Sequence, residues 1–183
     1  MKNDIQIVDY IKATDPYYLQ MTTNIDTFDT FFFTKQHHHY MQQALLEAEQ
    51  AFMEDEVPVG AVIVHNGHIV GKGYNQVERL KDPTAHAEIL AISAACQTLD
   101  SKLLSGCSLY VTLEPCPMCA GALVLSRLDR IIYSATDPKM GACGSIYDII
   151  QDTRLNHQIE VIQGIMENES EALLKKYFQR KRK

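Results

Sequence analysis

Two short segments of this chain hold residue types that can act on one centre. His86-Ala87-Glu88 offers an imidazole and a carboxylate two residues apart, and Pro115-Cys116-Pro117-Met118-Cys119, beginning its thiols thirty residues after His86, offers two sulfurs. One imidazole and two thiolates suit zinc, and three protein ligands leave the fourth tetrahedral position to water, which makes such a site catalytic in type. A closed structural site wants a fourth protein ligand, and none stands at finger or ribbon spacing.

On a helix, positions 116 and 119 share a face, so both sulfurs can converge on one ion. At a helix start the macrodipole and the unpaired N–H groups also stabilise anionic sulfur. His86 and Glu88 would lie about 200° apart in mid-helix. They can meet one centre only where the segment begins a helix, and Asp82-Pro83 supports a boundary there, because a residue before proline is biased away from helical backbone. A carboxylate beside an activated water can take its proton and later deliver it to a leaving group. Glu88 alone would read as an exposed acid at a helix start; joined to P-C-x-x-C at the end of a strand, it reads as the base.

The surrounding pattern provides elements to hold these segments. Tyr40, Ala44, Leu45, Ala48, Ala51 and Phe52 recur at spacings of three and four, which predicts a helix over 38–54. The stretches 59–64 and 68–74 are strands joined by a turn at Asn66-Gly67, with His65 and His68 exposed beside it. A second helix is expected over 85–99 with Ile89, Leu90, Ile92, Ser93 and Cys96 inward, a strand over 108–113, a third helix over 117–127 and a strand over 130–135. A short helix over 145–151, a strand over 159–163 and a helix over 170–179 complete the chain, with Asn168 and Glu171 as cap and first-turn pair. A hairpin followed by alternating strands and helices implies a mixed sheet with helices on both faces.

Length and composition narrow the function classes. The 183 residues, 46% hydrophobic and 22% charged, suit one domain plus an appendage. No window approaches the roughly 18 apolar residues of a membrane span. The first ten residues contain Asp4 and Asp9 and no apolar run of signal-peptide type, so a cytoplasmic location is expected. Residues 1–36 hold seven of the fifteen aromatics, no glycine and no clean period; they are set apart as an extension of unassigned role, with 37–183 as the catalytic domain. The triplet His37–His39 reads as surface histidines, since three adjacent residues cannot face one ion in a regular element. Five cysteines without a secretory signal imply reduced thiols, and Cys96 and Cys107 read as core packing. The net charge of −6 argues against general nucleic-acid binding, yet the last nine residues contain Lys175, Lys176, Arg180, Lys181, Arg182 and Lys183 and no acid. That asymmetry points to a polyanionic partner or to a solvated terminus.

The pairing of H-x-E with P-C-x-x-C resembles the signature of the zinc nucleobase deaminases. Val57-Pro58-Val59-Gly60-Ala61, Gly73-Tyr74-Asn75, Pro83 to Glu88, Thr112 to Ala122, Asp137-Pro138-Lys139-Met140-Gly141, Leu155-Asn156-His157 and Tyr177-Phe178 with Arg180 are similar, in order, to blocks of the bacterial tRNA-specific adenosine deaminases, a branch of the cytidine/deoxycytidylate deaminase superfamily. The resemblance implies a three-layer α/β/α sandwich with a mixed five-stranded sheet, cytidine-deaminase-like. It implies one zinc per chain held by His86, Cys116 and Cys119, and Glu88 moving a proton while hydroxide attacks C6 of a wobble adenosine and ammonia leaves, giving inosine. It also implies substrate contacts at Asn75, Ala87, Asp137, Lys139, Asn156, His157, Tyr177, Phe178 and Arg180, a tRNA anticodon stem-loop as partner, and a homodimer. Departures are residues 1–36, Thr136, Met140 and Cys143, a thiol beside the substrate loop that reads as packing. Two rivals share the sequence: a deaminase of a free base or nucleoside, disfavoured by the basic, aromatic end of the chain, and a non-catalytic protein with structural zinc, which has no use for Glu88.

Overall fold

The computed structural model describes residues 27–182, with side chains from 34 onward. The elements in chain order are α1 (Thr27–Met53), β1 (Gly60–His65), β2 (His68–Tyr74), α2 (Val77–Leu80), α3 (Ala87–Thr98), β3 (Cys107–Leu113), α4 (Pro117–Leu125), β4 (Arg130–Ala135), β5 (Glu160–Gln163) and α5 (Glu167–Lys181). The chain divides into two compact units, Met1–His38 and His39–Lys183. Of the first, the described part is the opening of α1.

In the second unit the five strands form one sheet in the order β2-β1-β3-β4-β5. The hairpin pairs antiparallel, with Asn66 and Gly67 both at positive φ in the turn, as a two-residue hairpin loop requires. β1 is antiparallel to β3, Ala61 opposite Val111, while β3, β4 and β5 run parallel, Leu109 beside Ile131 and Ile131 beside Val161. Helix α4 is the crossover that parallel pairing of β3 with β4 demands. The sheet is mixed and five-stranded, as the resemblance implied.

Alternation along the strands divides the core in two. Ala61, Ile63, Leu109, Val111, Ile131 and Tyr133 face Ala87, Ala91 and Ala95 of α3 and Ala120 and Leu123 of α4. Val62, Val64, Tyr110 and Ile132 face Tyr40, Met41 and Ala44 of α1. Helix α5 covers the same side, where Ser170 Oγ donates to Ser134 Oγ of β4 at 2.7 Å. The result is helix, sheet and helix in three layers.

The fully buried apolar face of α3 is made of alanines; Ile92 and Cys96 pack partly buried against the same core, as the periodicity favoured, while Ile89 and Leu90 are half-buried and Ser93 is exposed. Two glycines of β2 explain the alanines. A Cβ on Gly71 would stand 2.7 Å from Ala95 N, and one on Gly73 2.7 Å from Ala91 N, so helix backbone lies directly on strand backbone. Gly60 meets α1 in the same way, 2.7 Å from Glu47 Cβ.

Several expectations need correction. Residues 145–151 are not a helix, because their amides are engaged elsewhere: Ser145 N–H donates to Glu114, Ile146 and Tyr147 to the Gly141 carbonyl, Ile149 to Ala142, and Cys143 bridges Asp148. Asn168 does not cap α5, which starts at Glu167 behind Met166 in the left-handed region with no side-chain cap. Helix α1 begins at Thr27 rather than 38 and runs through the histidine triplet, so successive rings point about 100° apart. His37 is therefore buried while His39 is exposed. His65 is half-buried, its Nδ1 3.3 Å from the Gly106 carbonyl. The short helix α2 carries no apolar period and was not foreseen.

Candidate active site

The carboxyl ends of the parallel strands, where an open α/β sheet offers a crevice to ligands, collect the candidate residues. β3 ends at Leu113, and the chain turns through Glu114-Pro115 into α4, whose N-cap is Cys116, followed by Pro117 at the first helical position. Because β1 is antiparallel to β3, its first residue and the last of β2 lie at this same edge, and Asn75 leads from there toward α3. His86 is the N-cap of α3, with extended backbone at φ −76° and ψ 152°. The extended cap removes the mid-helix problem: His86 and Glu88 reach one centre.

His86 Nδ1 lies 3.7 Å from Cys116 Sγ and 3.6 Å from Cys119 Sγ, and the two sulfurs are 3.7 Å apart. A tetrahedral zinc with ordinary bond lengths requires edges of about 3.6 Å between nitrogen and sulfur and about 3.8 Å between sulfurs. The residues fit that ion, and among the described residues they form the one group of three metal-ligating side chains. The Cys116 thiol is pulled down to about 4, first by the hydrogen bond from Cys119 and then by His86, and the donor Cys119 is pushed up in turn. Glu88 is 3% exposed, and burial holds its carboxyl above the usual carboxylate range. A carboxyl so placed keeps a proton more readily than a solvated one, as a group that must both accept and return a proton should.

These residues open into a cavity of about 360 Å³ lined also by Asn75, Asp137 and Tyr177. Asn75 Oδ1 accepts the N–H of Ala87 at 2.9 Å, so a wholly buried Ala87 braces the wall through Asn75 and has no amide left for a ligand. Asp137 Oδ1 accepts the amides of Lys139 and Met140, turning the loop so that Met140 lines the cavity while Lys139 stays exposed. A groove of about 810 Å³ shares Glu56, Val57, Glu78 and Tyr177 with the cavity and adds Arg79, Phe178 and Lys181. Tyr177 is buried and donates to the Asp55 carbonyl at 3.2 Å, whereas Phe178 is 48% exposed. Arg180 and Lys181 both bind Asp55, and Arg180 lies 4.9 Å over the Phe52 ring.

Asn156 and His157 are not brought to this cavity. His157 Nε2 contacts the carbonyl of Leu128, two residues before β4 begins, which is the opposite end of the parallel strands. Cys143 is buried in the core and burial pushes its thiol up, in keeping with packing. Sequence reasoning missed two buried carboxylates of the cavity wall. Glu56 accepts the amides of Glu78 and Arg79 at 3.1 and 2.7 Å, and Glu114 accepts those of Asp137, Cys143 and Ser145, each at 3.0 Å. Their signal was an acid directly beside an apolar stretch and a proline, a place where a charge is buried and must find donors.

Residues 34–135 match the model of the cytidine and deoxycytidylate deaminase zinc-binding region. Over 143 residues the chain is 51% identical to the tRNA-specific adenosine deaminase of Aquifex aeolicus, covering 78% of this chain and 94% of that protein. The chain belongs to the tRNA-specific adenosine deaminase family. The Bacillus subtilis tRNA-specific adenosine deaminase is 46% identical over 148 residues, 81% of this chain and 92% of that protein. A solved structure from work on A-to-I editing by tRNA:A34 deaminases at the wobble position of transfer RNA superposes with a TM-score of 0.72 at 44% identity, covering 74% of this chain and 98% of that one. The deaminase fold and the zinc-type ligand set found here are those of the family.

Proposed function

We propose that this chain hydrolytically deaminates adenosine to inosine at the wobble position (34) of a tRNA anticodon loop. The observation that carries the reading is the His86–Cys116–Cys119 triangle with the buried Glu88 beside it, of which His86, Cys116 and Glu88 line a cavity that continues into a groove where Tyr177, Phe178, Arg79 and Lys181 stand among the acids Glu54, Asp55, Glu56 and Glu78. Zinc, when bound by these three residues, supplies Lewis acidity at a fourth position and makes water a nucleophile at neutral pH. Glu88 takes the proton that the water loses as it adds to C6 and returns it as the amine leaves. Ammonia departs and the oxygen stays on the base. Asn75 holds the wall that α3 and β2 form against the nucleoside, and Asp137 the opposite loop. An anticodon loop suits the site, since its bases are already unpaired and turning one out is inexpensive.

The groove supports RNA over a free base. Phe178 offers a face to a neighbouring base while the buried Tyr177 forms the wall beside it, and Lys139, Arg180 and Lys181 offer charge to phosphates. Asn156 and His157 lie away from the cavity, so they meet RNA at a distance from the reacting base. Residues 37–183 make the catalytic domain, working as a homodimer in the cytoplasm. No helix among the described residues is long and apolar enough to cross a membrane.

The test is to incubate the zinc-loaded protein with an anticodon stem-loop bearing adenosine at the wobble position and, in parallel, with a panel of free bases and nucleosides. Inosine in the stem-loop without ammonia from the free compounds is the expected result. Turnover of guanine or of a cytosine compound with the stem-loop untouched overturns the substrate and leaves the zinc chemistry standing.

A further inference from the structure

Glu114 is 2% exposed and touches neither the metal triangle nor a cation, yet it gathers four donors from one loop. Its Oε1 accepts the amides of Cys143 and Ser145 at 3.0 Å each, and its Oε2 accepts the amide of Asp137 at 3.0 Å and the Ser145 hydroxyl. Three of these donors are backbone N–H groups, which cannot rotate away. The loop leaves no room for slack either: a Cβ on Gly141 would collide with the Glu114 carboxylate and stand 2.6 Å from the Asp137 carbonyl. Both ends of this arrangement reach the cavity. Glu114 precedes Pro115-Cys116 on one wall, and the loop presents Asp137 and Met140 on the other.

We propose that Glu114 is a positioning residue that sets the 137–145 loop against the site, so that the nucleoside meets a preformed wall. The proposal rests on the deamination assigned above and adds to it the element that fixes the width of the substrate cavity. A buried carboxylate offers acceptors on both oxygens, as three fixed amides and a hydroxyl demand. An amide cannot do so. Whichever way the side chain of Glu114→Gln turns, its NH2 faces at least one backbone N–H, and the Asp137 end or the Cys143–Ser145 end of the loop is released. Ground-state binding then suffers while Glu88 and the metal ligands keep their places, so KM for the stem-loop should rise about tenfold with kcat within about threefold of the wild type.

The experiment compares wild type, Glu114→Gln, Gly141→Ala and the double variant on the wobble-adenosine stem-loop, with zinc content and amide hydrogen exchange measured on each. Wild-type turnover of the stem-loop is the control that belongs to the functional reading alone. The expected result is one zinc per chain in every variant, with exchange protection lost at the Asp137 end or at the Cys143–Ser145 end of the loop and kept at Leu90 and Ala120, whose amides bond to His86 and Cys116. Gly141→Ala should reproduce the KM change, and the double variant should show less than the sum of the two, because both act on one contact. Exchange is read without substrate, so it tests the clamp even where the stem-loop proves to be the wrong substrate. Loss of zinc, loss of protection at Leu90 and Ala120 alike, or a fall in kcat at unchanged KM overturns the proposal.

Discussion

Burying a carboxyl group beside two cysteines is costly, because an ionised carboxylate loses its hydration there, and the group answers by holding its proton more tightly. Glu88 is buried with its proton affinity raised, Cys119 hydrogen-bonds it, and it is not one of the three ligands. In the function proposed above its use is proton transfer. Glu88→Ala should retain close to one zinc per chain by elemental analysis and lose about 10²–10⁴-fold or more in turnover, the range for removing a general acid–base. Loss of metal together with turnover would instead assign Glu88 to holding the ion. His86 and Cys116 show why the ligands are well placed without it: both are extended N-cap residues, so each points its side chain ahead of a helix start while the next turn is already fixed.

At the scale of elements, the position of α3 matters most, since it carries both His86 and Glu88. It sits on β2 through Gly71 and Gly73 with alanines opposite, a contact that only residues without bulk allow. Gly71→Ala and Gly73→Ala should each lower stability by about 1–3 kcal/mol, the usual cost of overpacking, read as a shift of the urea midpoint at unchanged slope. The two should part in zinc affinity. An added Cβ at Gly73 presses on the Ala87 carbonyl, one residue from the ligand His86, whereas Gly71 presses on Ala91 and Ala95, one and two turns further along. Weakened zinc binding in the first variant alone is the expected outcome; equal effects would mean that the helix moves as a rigid body.

For the whole molecule, charge decides how a chain of net −6 meets RNA. The acidic body repels phosphate, and the basic end of α5 is folded beside the cavity, where Arg180 and Lys181 share Asp55 at the surface. Exposed ion pairs of this kind are weak, so an approaching phosphate can recruit both cations. Replacing Arg180 and Lys181 together by alanine should flatten the plot of log binding constant against log salt by about 1.4, at about 0.7 per cation on single-stranded RNA. Filter binding of the stem-loop across a salt series measures it, and an unchanged slope assigns the two cations to Asp55 alone. Tyr177 is of another kind, since its buried ring and its bond to Asp55 make it part of the wall.

What the sequence by itself determined is the chemistry and most of the order of elements. Ligand types, the i, i+3 pair, Asn66-Gly67 and the alternating strands are local patterns, and each is written in residues that stand within a few positions of one another. What only the tertiary structure decided is every contact whose partners are remote in the chain. The alanine face of α3 follows from glycines on another strand, the non-helical path of 145–151 from a carboxylate some thirty residues earlier, and the displacement of His157 from the site follows from which end of β4 its loop approaches. Periodicity reports that a face is buried; it carries no information about how close the covering element comes or which buried charge claims its amides. Those depend on the packed sheet, where a Cβ or a single unpaired donor is enough to settle the path of a loop.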